Sequence, residues 1–590
     1  MSAHPPIASD PLQAALAHHQ RGELDAAAAL YAAALARSPT QPAILNNLGL
    51  VRSAQGKAVE AAALWRQALA IDPRFADAHV NLANVAFEAG RLEEARGHYE
   101  TALAADARHV AALANGGALA LRERHYSRAR EWLERATALA PASVDAWVNL
   151  GRAFAECGYA ERAIAAFDRA LAIRPDDSAA RANRLLAMHY AEALSPEAIF
   201  QAHVAAGQRI EESPRAHAPV GARRSTALRI GFVSGDFNDH AVMRFFEPVL
   251  VHRDRSRWSA VLLATSPRED GVTARLRALA DDWASIAGLS DDDATRLVRA
   301  HDLDVLIDLS GHSAGSRPGL FARRPAPLAA SWIGYLGTSG LTSIGYRLTD
   351  AIADPPGLTQ RWHTEKLWYL PALWAYAPPS DAPAVDALPA TLAGHVTFGS
   401  ANNPSKITQA TLALWSDVLD AVPASRLLVH AHEDPLCRER LALAFGQRGH
   451  ASRVAYFSRA PRADYLRRLA AMDVVLDCVP YNGGTITCDA LWMGVPVVTL
   501  PGERPFSRSG AATLHAAGAP EWIAADAHDF IAIAARLAAD IPALARLRAG
   551  LRARLGASRL ADGAAMARDF AAAMDSMWSD AGLPPRGEAR

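Results

Sequence analysis

The sequence predicts an all-helical repeat array, an α-solenoid, followed by two Rossmann-like α/β domains that face a common cleft. Three observations predict it. Small and bulky residues recur with a period of 34 over the first third of the 590-residue chain. From about residue 228, short apolar runs alternate with amphipathic stretches, and that alternation stops and restarts around a proline-rich segment at 371–388. At about 150 residues per domain the length corresponds to about four domains, so one core will not hold the chain.

The repeats come first. Ala27, Ala61, Ala95, Ala129 and Ala163 are 34 apart, as are Ala34, Ala68, Ala102, Ala136 and Ala170. A larger side chain keeps the same period at Tyr31, Trp65, Tyr99, Leu133 and Phe167, and proline closes most copies at Pro39, Pro73, Pro141 and Pro175. Small residues where helices cross, a bulky knob one turn away, and a proline that stops the second helix are what stacked antiparallel helix pairs require. The pattern resembles the tetratricopeptide repeat, with five copies and a capping helix over 8–190. A polar series shares the period: Asn47, Asn81, Asn115, Asn149 and Asn183. Asparagine carries donor and acceptor on one short side chain, so such a ladder can hold the backbone of a protein or peptide acceptor. The same residues can equally bond one repeat to the next. Asp77 and Asp145 lie one helical turn before two of them.

Residues 191–226 read as a helical linker, because the stretch from Ser213 is rich in Pro, Ala and Arg without apolar periodicity. LRIGFVSGDF then reads as a buried strand entering a turn. Strands at 258–264, 303–309 and 328–333, with helices near 272–284 and 292–301, imply a parallel, doubly wound domain over 227–385. HVTFGS, SRLLVHA, RVAYFS, DVVLDCV and PVVTL are the strands of a second domain over 386–576, which leaves 577–590 as a tail.

Composition excludes several function classes. Hydrophobic residues at 51% and charged residues at 21% exclude wholesale disorder. Sixty-one basic against 62 acidic residues, a net charge of −1, supply no field for wrapping nucleic acid or coating an anionic membrane. No basic-then-apolar leader opens the sequence and no run of about 18 apolar residues occurs, so a cytoplasmic location is expected. Cys157, Cys437, Cys478 and Cys488 are widely spread, so the expectation is a reducing compartment with neither disulfide framework nor zinc site.

Open α/β sheets bind ligands at their carboxyl ends. Neither G-x-G-x-x-G nor G-x-x-x-x-G-K-[ST] opens either domain, which argues against dinucleotide dehydrogenases and P-loop NTPases. PYNGGTITCDALWMG instead places two glycines and Thr485 between a strand and a helix, with Asp489 one turn in. Backbone amides at such a helix start suit a diphosphate. SANNPSKIT supplies a cation, Lys406, in a chain whose other lysines are Lys57 and Lys366. A compact ammonium neutralises charge that develops on a leaving group.

These segments resemble glycosyltransferase family 41, the protein O-linked N-acetylglucosamine transferases, in which tetratricopeptide repeats precede a two-domain GT-B catalytic region. The motifs LRIGFVSGDFNDH, RRPAPLAASWIGYLGTSG, SANNPSKIT, RAPRADYLRR and PYNGGTITCDALWMGVPVVTLPGE carry the likeness in order. The resemblance implies that Asn403 and Lys406 contact the donor diphosphate. Ala460, Pro461, Arg462, Tyr465, Leu466, Arg467 and Arg468 would form the uridine segment, Gly484, Thr485 and Ile486 would receive the phosphates, and Asp489 would hold the ribose. His240, in the DFNDH turn, matches the family's candidate base, and His312 in DLSGHSAG is its rival. The family's His-Thr-Thr is Gly484-Thr485-Ile486 here, its stacking histidine is Tyr465, and its glutamine is Asn403.

The function implied is inverting transfer of N-acetylglucosamine from UDP-GlcNAc to Ser or Thr of protein acceptors. The sugar nucleotide would be a co-substrate, with no cofactor and no metal. Asp302 and Asp304 lead into a strand, and Asp291–Asp293 start a helix, where acidic residues serve as cap and dipole partners. NNPSKIT and NGGTITCD lean toward the SPINDLY branch, which uses GDP-fucose. A non-catalytic repeat scaffold is the third reading, against which stand Lys406, Asp489 and the ring at 465.

Overall fold

The computed structural model describes residues 11–212 and 227–584, so the proline-rich part of the expected linker lies outside the described residues. It divides into two compact units, Met1–Phe154 with Ala165–Asp177, and Ala155–Ile164 with Ser178–Arg590.

The first unit is built from antiparallel helix pairs: α1 (Pro11–Gln20) with α2 (Leu24–Arg37), α3 (Pro42–Ala54) with α4 (Ala58–Ile71), α5 (Ala76–Glu88) with α6 (Leu92–Ala105), and α7 (Val110–Arg122) with α8 (Tyr126–Leu139). α9 (Val144–Glu156) and α10 (Ala160–Ile173) follow, and the turn between them belongs to the second unit. The periodic residues do what their spacing requires. Tyr31, Trp65, Tyr99 and Leu133 are buried, each beside a fully buried alanine of the series, and burial of a side chain this size contributes about 1.5–3 kcal/mol. At Gly117 the helices approach so closely that a Cβ would lie 2.6 Å from Leu133 Cγ. Pro39, Pro73, Pro141 and Pro175 each stand two residues past the end of a helix, where they cannot continue it.

In the second unit, α11 (Ser178–Met188) and α12 (Pro196–Glu211) lead into the α/β region. The helical part of the expected linker is α12, which packs against the α/β region instead of standing free of it. Ile199, His203, Ala206 and Gly207 form one buried face of α12 at helical spacing. Backbone meets backbone there, since a Cβ on Gly207 would sit 2.0 Å from the Gly340 carbonyl oxygen.

The first sheet comprises β1 (Leu228–Ser234), β2 (Trp258–Ala264), β3 (Asp282–Ser285), β4 (Val305–Asp308), β5 (Leu328–Ser331), β6 (Tyr346–Asp350) and β7 (Lys366–Leu370), in the order β3-β2-β1-β4-β5-β6-β7. Every pairing is parallel, with Leu228 beside Trp258 and Ile230 beside Val305. The helix expected over 272–284 stops at Leu279, and its last residues are the short edge strand β3. β6 escapes a reading of hydrophobic runs because YRLTD is polar yet wholly buried. Arg347 within it donates to the carbonyls of Tyr335 (2.8 Å) and Gly337 (3.2 Å). The second sheet comprises β8 (Thr397–Ser400), β9 (Arg426–His430), β10 (Val454–Phe457), β11 (Val474–Leu476) and β12 (Val497–Val498), ordered β10-β9-β8-β11-β12 and also parallel.

Two further expectations change. The chain end is not a tail from 577: the helix Gly563–Asp580 buries Met577 and Trp578. Its Phe570 packs on Trp258 and Trp332 of the first domain (ring centroids 5.3 and 5.1 Å), and Asp580 accepts from Tyr346 Oη at 2.7 Å. Cys157 and Cys437 form a disulfide across 280 residues, whereas Cys478 and Cys488 are free and buried. Spacing in the chain cannot reveal a pair made by tertiary contact, and the cysteines no longer argue for a reducing compartment. Among the described residues no helix is long and apolar enough to cross a membrane.

Candidate active site

β8 ends at Ser400 and the chain turns through Asn402 and Asn403 into the 3₁₀ turn Pro404–Lys406. Asn403 caps that turn, its Oδ1 accepting from the Ser405 amide (3.2 Å) and hydroxyl (3.0 Å). Lys406 reaches across to the strand-to-helix turn that follows β11. Its Nζ donates to the Asn482 carbonyl at 2.9 Å and lies 4.1 Å from the Tyr481 ring centroid. Burial lowers its pKa to about 8, against the opposing pull of Asp477. Asp477 was not singled out from sequence, although an acidic residue at the end of the apolar strand DVVLDCV is a readable signal. Its carboxylate accepts from the Gly483 amide (2.7 Å) and the Thr499 hydroxyl (2.7 Å) and so fixes the glycine turn.

Gly484 is the N-cap of the helix Thr485–Trp492 and offers no side-chain cap. The amides of the first turn therefore have no side-chain oxygen in front of them, the condition for an anion site. Thr485 and Ile486 stand half-buried on that turn. Trp374 comes from the segment between the two sheets. It stacks on Phe245 of the first domain (4.3 Å) and presents its ring to Gly484, where a Cβ would lie 3.4 Å away.

Asp489, one turn into the helix, is almost fully buried and takes several donors. Arg462 binds it through both terminal nitrogens (2.8 and 2.7 Å), and the hydroxyls of Tyr465 (3.2 Å) and Tyr376 also donate to it. The Arg462 guanidinium lies 5.4 Å from the Tyr465 ring centroid. The structure thus joins Arg462, Tyr465 and Asp489, and adds Tyr376. Arg468 instead donates to the Ser458 carbonyl (2.8 Å) beside Phe457. Ala460 is half-buried and Pro461 caps the helix Arg462–Ala470. Two further members of the expected uridine segment also point elsewhere. Leu466 is in the core, and Arg467 is exposed and paired with Asp464, because adjacent helix positions diverge by about 100°.

Across in the first domain, β1 runs into the turn that carries His240. Its half-exposed ring has Nδ1 3.4 Å from both Asp236 Oδ2 and the Val242 amide nitrogen. Burial raises the pKa of Asp236, and the nearby His240 opposes that shift. His312 is differently placed. It is buried, its Nε2 donates to the Ser339 carbonyl (2.8 Å), and its ring meets His203 and Tyr335 edge-on (5.2 and 5.3 Å). Desolvation pushes it down to about 4, so this histidine stays neutral in a closed cluster. Asp308 braces the loop between them, accepting from the Ser310 (2.9 Å) and Gly311 (3.1 Å) amides. Asp291 and Asp292 are engaged by Arg317 and Arg323.

The asparagine series divides. Asn81 donates to Asn46 (2.7 Å) and Asn115 to Asn84 (2.9 Å), which joins one repeat to the next. Asn149 accepts from Arg152 on its own helix (3.3 Å). Asn183 lies on α11, in the second unit. Asp77 pairs with His109 at 2.9 Å.

Residues 15–56, 52–116 and 116–178 match tetratricopeptide repeat families, and residues 205–376 and 388–570 match glycosyl transferase family 41. A rice (Oryza sativa subsp. japonica) protein, named as the probable UDP-N-acetylglucosamine–peptide N-acetylglucosaminyltransferase SPINDLY, is 36% identical over 424 residues, 68% of this chain and 45% of its own. The UDP-N-acetylglucosamine–peptide N-acetylglucosaminyltransferase of Caenorhabditis elegans is 24% identical over 506 residues, 64% of this chain and 43% of its own. The chain thus spans less than half the length of these curated relatives. A solved structure of a Thermobaculum terrenum O-GlcNAc transferase mutant superposes with a TM-score of 0.79 at 34% identity, covering 86% of this chain and 98% of that one. With the family match extending over more than half of its residues, the chain belongs to glycosyl transferase family 41.

Proposed function

We propose that this protein transfers N-acetylglucosamine from UDP-GlcNAc to serine or threonine hydroxyls of protein acceptors, with inversion at the anomeric carbon. One observation carries the reading. Lys406, the uncapped amides from Gly484 onward and the Arg462–Asp489–Tyr465 group lie beyond the carboxyl ends of β8, β11 and β10 of one sheet. That arrangement offers a cation, an anion-binding helix start and a nucleoside platform side by side.

In this mechanism the diphosphate lies against the helix start and beside Lys406. The negative charge it brings raises the lysine pKa again, so the ammonium is present when the leaving group departs. Stabilisation of this kind is worth about 3 kcal/mol in the transition state. The acceptor hydroxyl attacks from the opposite face, and His240 takes its proton, with Asp236 stabilising the imidazolium. The charge on the diphosphate is met by Lys406 and backbone amides, so transfer should continue in a chelator. The repeats bind the acceptor protein.

A second reading, transfer of fucose from GDP-fucose, rests on NNPSKIT and NGGTITCD, the two stretches that resemble the SPINDLY branch. Thermal shift decides between them: UDP is expected to raise the melting temperature and GDP to leave it unchanged, and the reverse would replace the first reading with the second. Transfer of labelled sugar to protein in cell extract then tests the reaction itself.

A further inference from the structure

We infer that Arg440 is a positioning residue of the donor site, clamping the turn that carries Lys406 onto the segment 155–164. Arg440 projects from the helix Pro435–Gln447 and is almost fully buried. Its Nε donates to the Cys157 carbonyl (3.0 Å), Nη1 to that of Ile407 (2.7 Å) and Nη2 to that of Pro404 (3.4 Å). Pro404 and Ile407 flank the stretch holding Ser405 and Lys406, so gripping both carbonyls sets the direction in which the lysine leaves the backbone. A planar guanidinium with five donors can span three acceptors in this way, and an ammonium cannot.

Two independent features show that the site is built around this side chain. Gly158, at φ +78°, passes so close that a Cβ would lie 2.4 Å from Arg440 Nη2 and 2.8 Å from the Pro404 carbonyl oxygen. The Cys157–Cys437 disulfide ties the segment 155–164 to the helix that carries Arg440, one helical turn before that residue. The acceptors are backbone carbonyls and do not titrate, so the clamp itself is independent of pH.

The proposal rests on the reading of Lys406 as the leaving-group cation, and its test keeps the two apart. Because the chain holds only Lys57, Lys366 and Lys406, acetylation of each can be followed by mass spectrometry in one sample of full-length protein, without donor. In the parent protein Lys406 should react slowly, with a midpoint near pH 8. In Arg440→Met its rate relative to Lys57 should rise about fivefold or more and its midpoint should move up, as the amine gains water. Donor turnover should fall about ten- to a hundredfold, the effect of misplacing a catalytic group by about 1 Å. Arg440→Lys should restore only part of either. Should Arg440→Met fail to fold, Gly158→Ala, which pushes on the same clamp, carries the test. Unchanged Lys406 reactivity in a folded variant overturns the clamp. A shifted reactivity with unaltered turnover overturns the role of Lys406 itself.

Discussion

Lys406 shows how a single residue acquires its chemistry from its surroundings. Lysine normally titrates near 10.5, and burial beside Tyr481 lowers this one to about 8. The charged form of the free protein is therefore lost as pH rises through that value, and kcat/KM for the donor should decline above pH 8, as initial rates across pH 6.5–9.5 would show. Lys406→Ala should reduce turnover roughly 10²-fold or more with the fold intact. Activity within a factor of about two of the parent would remove it from the mechanism. Tyr376 was invisible in the sequence because it lies between domains, yet its hydroxyl donates to Asp489. Tyr376→Phe should weaken UDP binding by calorimetry about three- to tenfold, the effect of losing one hydrogen bond of about 0.5–1.5 kcal/mol.

At the scale of elements, the asparagine series changes meaning once partners are known. Asn81 and Asn115 spend their amides on neighbouring repeats, so Asn81→Ala with Asn115→Ala should lower stability to urea by about 1–3 kcal/mol in total. An unchanged unfolding midpoint would return both to the peptide-binding role. Asn149, bonded within its own helix, is the better reporter of acceptor binding: Asn149→Ala should impair transfer to protein more than hydrolysis of the sugar nucleotide by water. Equal losses in the two assays would deny it that role. Cysteine pairing is checked by alkylating denatured protein, where two of the four thiols should react before reduction and all four afterwards.

The whole second unit shares a buried histidine cluster. His189 directly follows α11, His203 belongs to α12, Tyr335 and His312 to the first α/β domain, and Phe506, 4.0 Å from the His189 ring, to the second. His203 Nδ1 donates to the Ile199 carbonyl, so its Nε2 is bare and accepts from Tyr335 (2.7 Å). His189 Nε2 then donates to the same oxygen (3.0 Å). A second proton on His203 would meet a donor with a donor. Desolvation lowers His203 to about 3 and His312 to about 4, and His189 also falls well below its usual value. Between the unfolded value of 6.5 and about 4 the folded protein binds fewer protons than the unfolded chain, so stability is lost as pH falls through that window. Asp308, raised to about 6, works in the opposite direction, as do Asp236, Asp350, Asp473 and Asp477, which burial also raises. These carboxyls start from 3.8, so the histidines, starting at 6.5, dominate the step from pH 7 to pH 5. The melting temperature should therefore drop from pH 7 to pH 5, and a flat or rising curve would refute the account.

Much of this molecule is written locally. A 34-residue period in small, bulky and proline positions specifies helix pairs, because helix crossing and termination depend on residues within one or two turns. Apolar runs such as WSAVLLA specify buried parallel strands, and β2 has the bounds that its run suggests. The glycine turn before Thr485 and the rare lysine at 406 mark the candidate phosphate site for the same reason: their chemistry is carried by a few consecutive residues. Other features needed the fold. β6 hides behind Arg347 and Asp350, whose burial is tolerated only because distant backbone groups satisfy them. The disulfide, the return of the last helix to the first sheet, the donors gathered on Asp489 and the clamp of Arg440 each join residues far apart in the chain. Sequence patterns report what a segment prefers, and tertiary structure alone decides which distant partner satisfies it.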